Sequence, residues 1–314
     1  MRILITGASG FIGSALAKRL EEEGHEVYGL YRYVADGRYD FYKLDRHRVA
    51  DIRDDVAIDR IVGDIKPEIV YHLAAMTAVS YSFIAPREVT EVIYMGTMNI
   101  VHACLKYEVE CLINASTSEF YGEQEKFPIT EDAVPHPLSS YAVAKVAAEE
   151  YIRYVDRTVG IPYTILRPYN TYNRSNVKKK YFLIERAITQ ALEEGHIHLY
   201  TPEPVRDLLD RDSHVQAYIK CLNNKRALGE AINIGTGVGW KIGEAIELVA
   251  KLIKERTGKE VPITWDMAPD RPYDIPKLIC SNEKAKEILG WEPLYTLEEG
   301  LRIAIKEWKV VLGL

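Results

Sequence analysis

Cysteine is scarce: Cys104, Cys111, Cys221 and Cys280 are the only four in 314 residues, and no pair has metal-site or redox-motif spacing. That excludes a disulfide framework and predicts reduced thiols in a cytoplasmic protein. Long apolar runs are lacking as well. None approaches the roughly 20 residues of a membrane span, so no membrane partner is expected. The first strand pattern begins at Arg2 and leaves no room for a signal peptide. Excess positive charge is also missing. With 40 Lys+Arg against 46 Asp+Glu the net charge is −6, which gives no electrostatic reason to expect nucleic acid. Glutamine is nearly absent (Gln124, Gln190, Gln216) beside abundant Glu and Lys, a composition associated with thermophiles. No repeat or low-complexity segment is present.

What is there is a globular composition, long enough for one large domain or two smaller ones. Residues 2–6 are a short apolar run that ends in Gly7-Ala8-Ser9-Gly10-Phe11-Ile12-Gly13, and a helical pattern follows over 14–23. Strand, glycine turn and helix let backbone amides and a helix N-terminus hold a pyrophosphate. Gly7 permits the tight turn, Gly10 the close approach of the phosphates, and Gly13 close packing of helix on strand. A second strand over 26–32 ends in Tyr31 and Arg32. An NAD site carries an acid there for the ribose hydroxyls, whereas an arginine pairs with a 2′-phosphate; NADP is therefore favoured over NAD.

A third strand over 48–52 carries Asp51 and Ile52, with Asp51 placed either to bind the adenine amino group or to cap the helix starting at Asp54. A fourth, over 67–75, ends in Leu73, Ala74 and Ala75, small enough for a cofactor to lie against the backbone; His72 beside them reads as a packed core histidine. Helices are expected at 54–64 and 86–107, and strands at 110–115 and 162–166. Strands alternating with helices predict a parallel sheet covered on both faces, with ligands beyond the carboxyl ends of the strands.

Thr117 and Glu119 fall at such an end. Tyr141 and Lys145 follow, four residues apart in a stretch free of proline and glycine, and so on one helical face. An ammonium beside a phenol is expected to lower the phenol's pKa toward that of a general base. After residue 168 the pattern loosens. Helices near 182–194, 212–223, 241–257, 281–289 and 296–309 alternate with short strands at 197–200, 205–210, 231–234 and 277–280; Lys178-Lys-Lys180 reads as a solvated turn.

Taken together these residues resemble the extended short-chain dehydrogenase/reductase family, in its nucleotide-sugar epimerases and 4,6-dehydratases. The resemblance rests on the segments 6–13, Asp51-Ile52, His72 to Ala75, 116–119, Tyr141 and Lys145. It continues with Arg167-Pro-Tyr169-Asn170-Thr-Tyr172, Val205-Arg206-Asp207, 232–235, Asp270-Arg271-Pro-Tyr-Asp274 and Leu289-Gly-Trp291. It implies a Rossmann-type doubly wound α/β sheet with a smaller, mostly helical C-terminal substrate domain. The dinucleotide-binding domain would span 1–168 with a return segment at about 205–235, and the substrate domain 169–204 and 236–314.

The resemblance also implies roles. Tyr141 becomes the base, with Thr117 on the same sugar oxygen and Lys145 as its partner and ribose ligand. Tyr169 joins the cofactor site. Ser118, Asn170, Arg206 and Arg271 would hold the nucleotide-diphosphate sugar, and a homodimer or tetramer is implied. Glu119 narrows the reaction. Elimination of water across C5 and C6 needs a further acid–base group near the tyrosine, which makes a 4,6-dehydratase the leading expectation. A 4-epimerase on the same scaffold is the alternative, and a non-catalytic dinucleotide-binding module a third. Ile93 stands where the family commonly has asparagine, Asn173-Arg174-Ser175 where it has Gly-Pro-Arg, and Ser281 where aspartate is frequent.

Overall fold

The computed structural model describes residues 1–33, 44–172, 182–269 and 271–314. Asn173-Arg174-Ser175, Lys178 to Lys180 and Asp270 lie outside the described residues. Ile3, Leu4 and Ile5 are fully buried in β1 (Arg2–Thr6), as a central parallel strand requires. The chain continues through α1 (Phe11–Glu22), β2 (Glu26–Tyr31), β3 (His47–Val49), α2 (Asp55–Ile65) and β4 (Ile69–His72). Next come α3 (Val79–Ile84), α4 (Pro86–Thr90), a π-helical turn (Glu91–Met95), α5 (Gly96–Lys106), β5 (Cys111–Ala115), α6 (Ser140–Thr158) and β6 (Tyr163–Pro168).

The helix expected unbroken over 86–107 is therefore three pieces, and α3 ahead of it is additional. At the junction Gly96 lies under Ile52, where a Cβ would come within 2.5 Å of the Ile52 side chain, and the Thr97 hydroxyl donates to the Ile93 carbonyl at 2.6 Å. Ile93 itself packs beside Tyr141, so the irregular turn sits over the candidate base.

The second half contains β7 (Asn170–Tyr172), α7 (Leu183–Glu193), β8 (Ile197–His198), β9 (Val205–Asp210), α8 (Arg211–Cys221), β10 (Glu230–Ile234) and β11 (Gly239–Lys241). It closes with α9 (Ile242–Thr257), β12 (Ile263–Thr264), β13 (Lys277–Leu278), α10 (Glu283–Leu289) and α11 (Leu297–Leu312). Seven parallel strands form the main sheet in the order β10-β6-β5-β4-β1-β2-β3. The order reverses between β1 and β4, which opens a crevice at the glycine turn. The chain re-enters this sheet with β10, whereas β9 builds a second sheet with β7, β11 and β13. Helices α7, α9 and α11 cover a separate apolar core around Ile188, Ile246 and Trp308. No helix among the described residues is long and apolar enough to cross a membrane.

His72, 3% exposed, is packed between the Thr6 hydroxyl at 2.8 Å from Nδ1 and the Thr97 hydroxyl at 3.2 Å from Nε2. Burial, with the Lys145 charge adding to it, pushes its pKa from 6.5 down to about 3, and burial does the same to His214. Below 6.5 the unfolded chain then binds protons that the folded chain refuses, so stability falls as pH falls toward 3. Thermal midpoints measured from pH 7 to 5, above the carboxylate range, should decline, and His72→Gln should flatten that slope. A flat wild-type profile over this window is the contrary result.

Candidate active site

The glycine turn is built by steric exclusion. Gly7 sits at φ +70° with a position for Cβ only 2.8 Å from the Ala74 backbone nitrogen, and a Cβ on Gly13 would come within 2.3 Å of the Gly7 carbonyl oxygen. The turn thus abuts the end of β4, where the Leu73 and Ala74 amides donate to the Thr6 hydroxyl at 3.2 and 3.1 Å. Gly10 caps α1 without any side-chain acceptor, which leaves the first amides of the helix, at Phe11, Ile12 and Gly13, free of an intrahelical partner. An anion fits such an end. Phe11 packs edge-on against Phe182 at 5.9 Å and so joins the turn to the second half of the chain.

At the end of β2, Arg32 is drawn to two carboxylates, Asp51 at 3.4 Å and Glu88 at 3.8 Å. Asp51 accepts from the Arg53 backbone amide at 3.0 Å and from its guanidinium at 3.0 and 2.7 Å; these bonds, opposed by burial, hold its carboxyl down at about 2. The cap of α2 is Asp54, whose side chain accepts from the Ala57 amide at 2.9 Å, so Asp51 is released from the capping alternative. Ile52 contributes its carbonyl to Asn99 at 2.9 Å while its side chain is in the core.

Beyond β5, Thr117 is extended and caps a single 3-10 turn (Ser118–Phe120) by accepting from the Glu119 amide at 3.2 Å. This turn packs against α6, which puts the Thr117 hydroxyl close enough to Tyr141 to lower the phenol's pKa. Ser139 caps α6 at 3.1 Å and fixes where Tyr141 and Lys145 emerge. Here one expectation is corrected. Burial pushes the Tyr141 phenol up to about 12, against the lowering by Thr117, and Lys145 does not pull it toward neutrality. Lys145 Nζ instead donates to the Ala115 carbonyl at 2.5 Å, and burial brings its pKa down to about 8 while Glu149 opposes.

Glu119 is half-buried, its carboxyl pushed up by burial and by Asp274 and pulled down by Arg271 and Arg206. Its charge is felt at Tyr141. Arg206, 3% exposed, and Arg271 both donate to the Asp274 carboxylate.

A model of the family described as GDP-mannose 4,6 dehydratase matches residues 4–304. The chain belongs to the extended short-chain dehydrogenase/reductase family. It is an NAD(P)-dependent nucleotide-sugar dehydratase or epimerase. A putative UDP-glucose 4-epimerase of Methanocaldococcus jannaschii is 30% identical over 310 residues, 98% of either chain. The crystal structure of UDP-glucose 4-epimerase with UDP-glucose from Thermotoga maritima is 32% identical with a TM-score of 0.89, covering 99% of this chain and 100% of that one. The Thermus thermophilus UDP-glucose 4-epimerase in complex with NAD is 30% identical with a TM-score of 0.87, covering 98% and 99%.

Among the residues expected in this family member's site, Thr117 and Glu119 lie on the turn packed against the α6 face of Tyr141 and Lys145, and the charges of Arg206 and Arg271 act on Glu119. Ser9 and Ala75 lie on the glycine-turn and β4 ends of the crevice, and Ser118 is buried in the 3-10 turn. Asn170 is exposed at the start of β7. Tyr169, expected at the cofactor site, follows β6 with its backbone amide donating to the Ile234 carbonyl at 2.9 Å and its side chain in an apolar cluster with Phe120, Tyr121, Ile129 and Leu278. Glu88 and Glu149 were not singled out from sequence, and Asp274 only as the end of the segment 270–274, without a role. Glu149 had a local signal, its place one turn beyond Lys145.

Proposed function

We propose that the protein is a 4-epimerase of a nucleotide-diphosphate hexose, with UDP-hexoses the favoured class. The observation that carries this reading is the acid–base inventory around Tyr141. Removing and returning hydrogen at C4 needs one proton carrier at the 4-hydroxyl, and the Thr117–Tyr141 pair beside Lys145 supplies it. Loss of water needs in addition a base at C5 and an acid at the C6 hydroxyl. Among the described residues Glu119 can supply one of these groups, but Asp274, the other carboxyl nearby, is committed to two arginines, which leaves the second group without a candidate. The full-length likeness to UDP-glucose 4-epimerases supports the same choice.

The free α1 amides, the Gly7 turn and Lys145 fit a nicotinamide dinucleotide. Bound there, it supplies the acceptor for the C4 hydride and a positive charge next to Tyr141. On the chain's side, Tyr141 takes the 4-hydroxyl proton as the C4 hydrogen leaves, Thr117 holds that oxygen, and Lys145, steadied by the Ala115 carbonyl, would hold the nicotinamide ribose. Arg206 and Arg271 anchor the diphosphate, so that the sugar can present its other face before Tyr141 returns the proton. NAD is the form this reading favours, in place of the NADP favoured by sequence alone, because a 2′-phosphate near Arg32 would meet Asp51 and Glu88.

A 4,6-dehydratase is the second reading, favoured by a Glu119 carboxyl whose charge acts on Tyr141. Incubation with UDP-glucose and UDP-galactose, and with GDP-mannose, in deuterium oxide separates the two. Epimerisation gives an isomer of unchanged mass without carbon-bound deuterium. Dehydration gives a product lighter by one water with deuterium at C5. Glu119→Gln should change kcat by less than about tenfold under the first reading, whereas loss of an acid–base group lowers it by about 10²-fold or more. The larger loss, or the lighter product, would reverse the assignment.

A further inference from the structure

Tyr141, Lys145 and Glu149 stand at i, i+4 and i+8 on α6 and share one face. Glu149 is wholly buried. Its carboxylate accepts two bonds from Arg167 of β6, from Nε at 3.0 Å and from Nη2 at 2.7 Å, and a third from the Ser116 hydroxyl; Arg153 is 3.5 Å away. Arg167 is equally deep, at 2% exposure. Its guanidinium lies 3.7 Å from the centre of the Phe120 ring, and Nη1 donates to the Tyr121 hydroxyl at 2.8 Å and to the Glu131 carbonyl at 3.3 Å. The Tyr121 phenol in turn donates to Asn233 at 2.7 Å. A single guanidinium thus grips Phe120 and Tyr121 directly and Ser116 through Glu149. Those are the residues on either side of Thr117-Ser118-Glu119.

We propose that the Arg167–Glu149 pair positions the acid–base turn, fixing Thr117 and Glu119 against Tyr141 without touching substrate. The proposal rests on the reading that Thr117, Tyr141 and Lys145 carry the proton transfer. A buried ion pair is seldom better for stability than an apolar pair of the same volume, while removal of one partner strands a charge. An apolar pair can therefore hold β6 against α6. It has no directional bonds with which to grip both flanks of the turn, and misplacement of a reacting group by about 1 Å costs roughly 100-fold in rate.

The test is Arg167→Met and Glu149→Leu, singly and together in the full chain, assayed for nucleotide-sugar turnover, cofactor binding and thermal midpoint. Each single variant should be less stable. The double variant should regain the wild-type midpoint and bind cofactor normally, with KM within about threefold but kcat down about 100-fold. A stable double variant with wild-type kcat overturns the proposal, since the pair would then be structural only. If the double variant does not fold, Arg167→Lys decides. It keeps the charge but loses the fork and the flat contact with Phe120. A kcat lowered about tenfold or more at unchanged KM upholds the positioning role, and an unchanged kcat overturns it. Tyr141→Phe is the separate control. Turnover surviving there would refute the base itself, whatever the Arg167 variants do.

Discussion

Tyr141→Phe is expected to lower kcat by about 10²- to 10⁴-fold, the range for loss of a positioned proton carrier, while cofactor binding stays near the wild-type value. The reasoning separates the ring from the hydroxyl. The ring is held by Val89, Ile93, Ala144 and Ala148, contacts that phenylalanine keeps. Among the described residues no hydrogen bond anchors the hydroxyl to the fold, and its main neighbour is Thr117, which lowers the phenol's pKa. Little stability therefore depends on the phenol oxygen, and the damage falls on the chemical step. Turnover of the nucleotide sugar and titration of the cofactor, measured on the same preparation, check both halves. Full turnover by the Phe variant would mean that another group takes the 4-hydroxyl proton.

The features read correctly from sequence were those imposed by local sterics or by one helical turn. Gly7 and Gly13 announce a turn in which Cβ atoms have no room, and Tyr141 and Lys145 announce a shared face. What sequence could not supply was burial and the partners that tertiary packing brings. Tyr141 and Lys145 are both sealed in, so desolvation raises one and lowers the other, and the nearest acceptor for the ammonium is the Ala115 carbonyl. Arg32 looked available for a phosphate because Glu88 approaches it from α4, far along the chain. β7 and β11 were missed because three-residue strands are too short to show alternation. The π-helical turn beside Tyr141 left no periodic signature either; it depends on Gly96 fitting beneath Ile52.

The second large effect is expected at the arginines. Arg206→Met should raise KM for the nucleotide sugar by about 10- to 100-fold, the worth of one charge-assisted contact of about 1.5–3 kcal/mol, and leave kcat nearly unchanged. The diphosphate keeps its charge throughout the reaction, so its anchors bind ground state and transition state alike. Arg271, more exposed and on a loop, should cost less when replaced by Met. The two substitutions should not be additive, because both guanidinium groups converge on Asp274 and each inherits that carboxylate when the other is removed. In the Arg206 variant, Asp274 then saturates Arg271 and weakens the remaining anchor. Asp274→Asn added to Arg206→Met should therefore recover part of the lost KM. A fall in kcat with KM unmoved in Arg206→Met would instead place this guanidinium at the reacting carbon rather than at the phosphates.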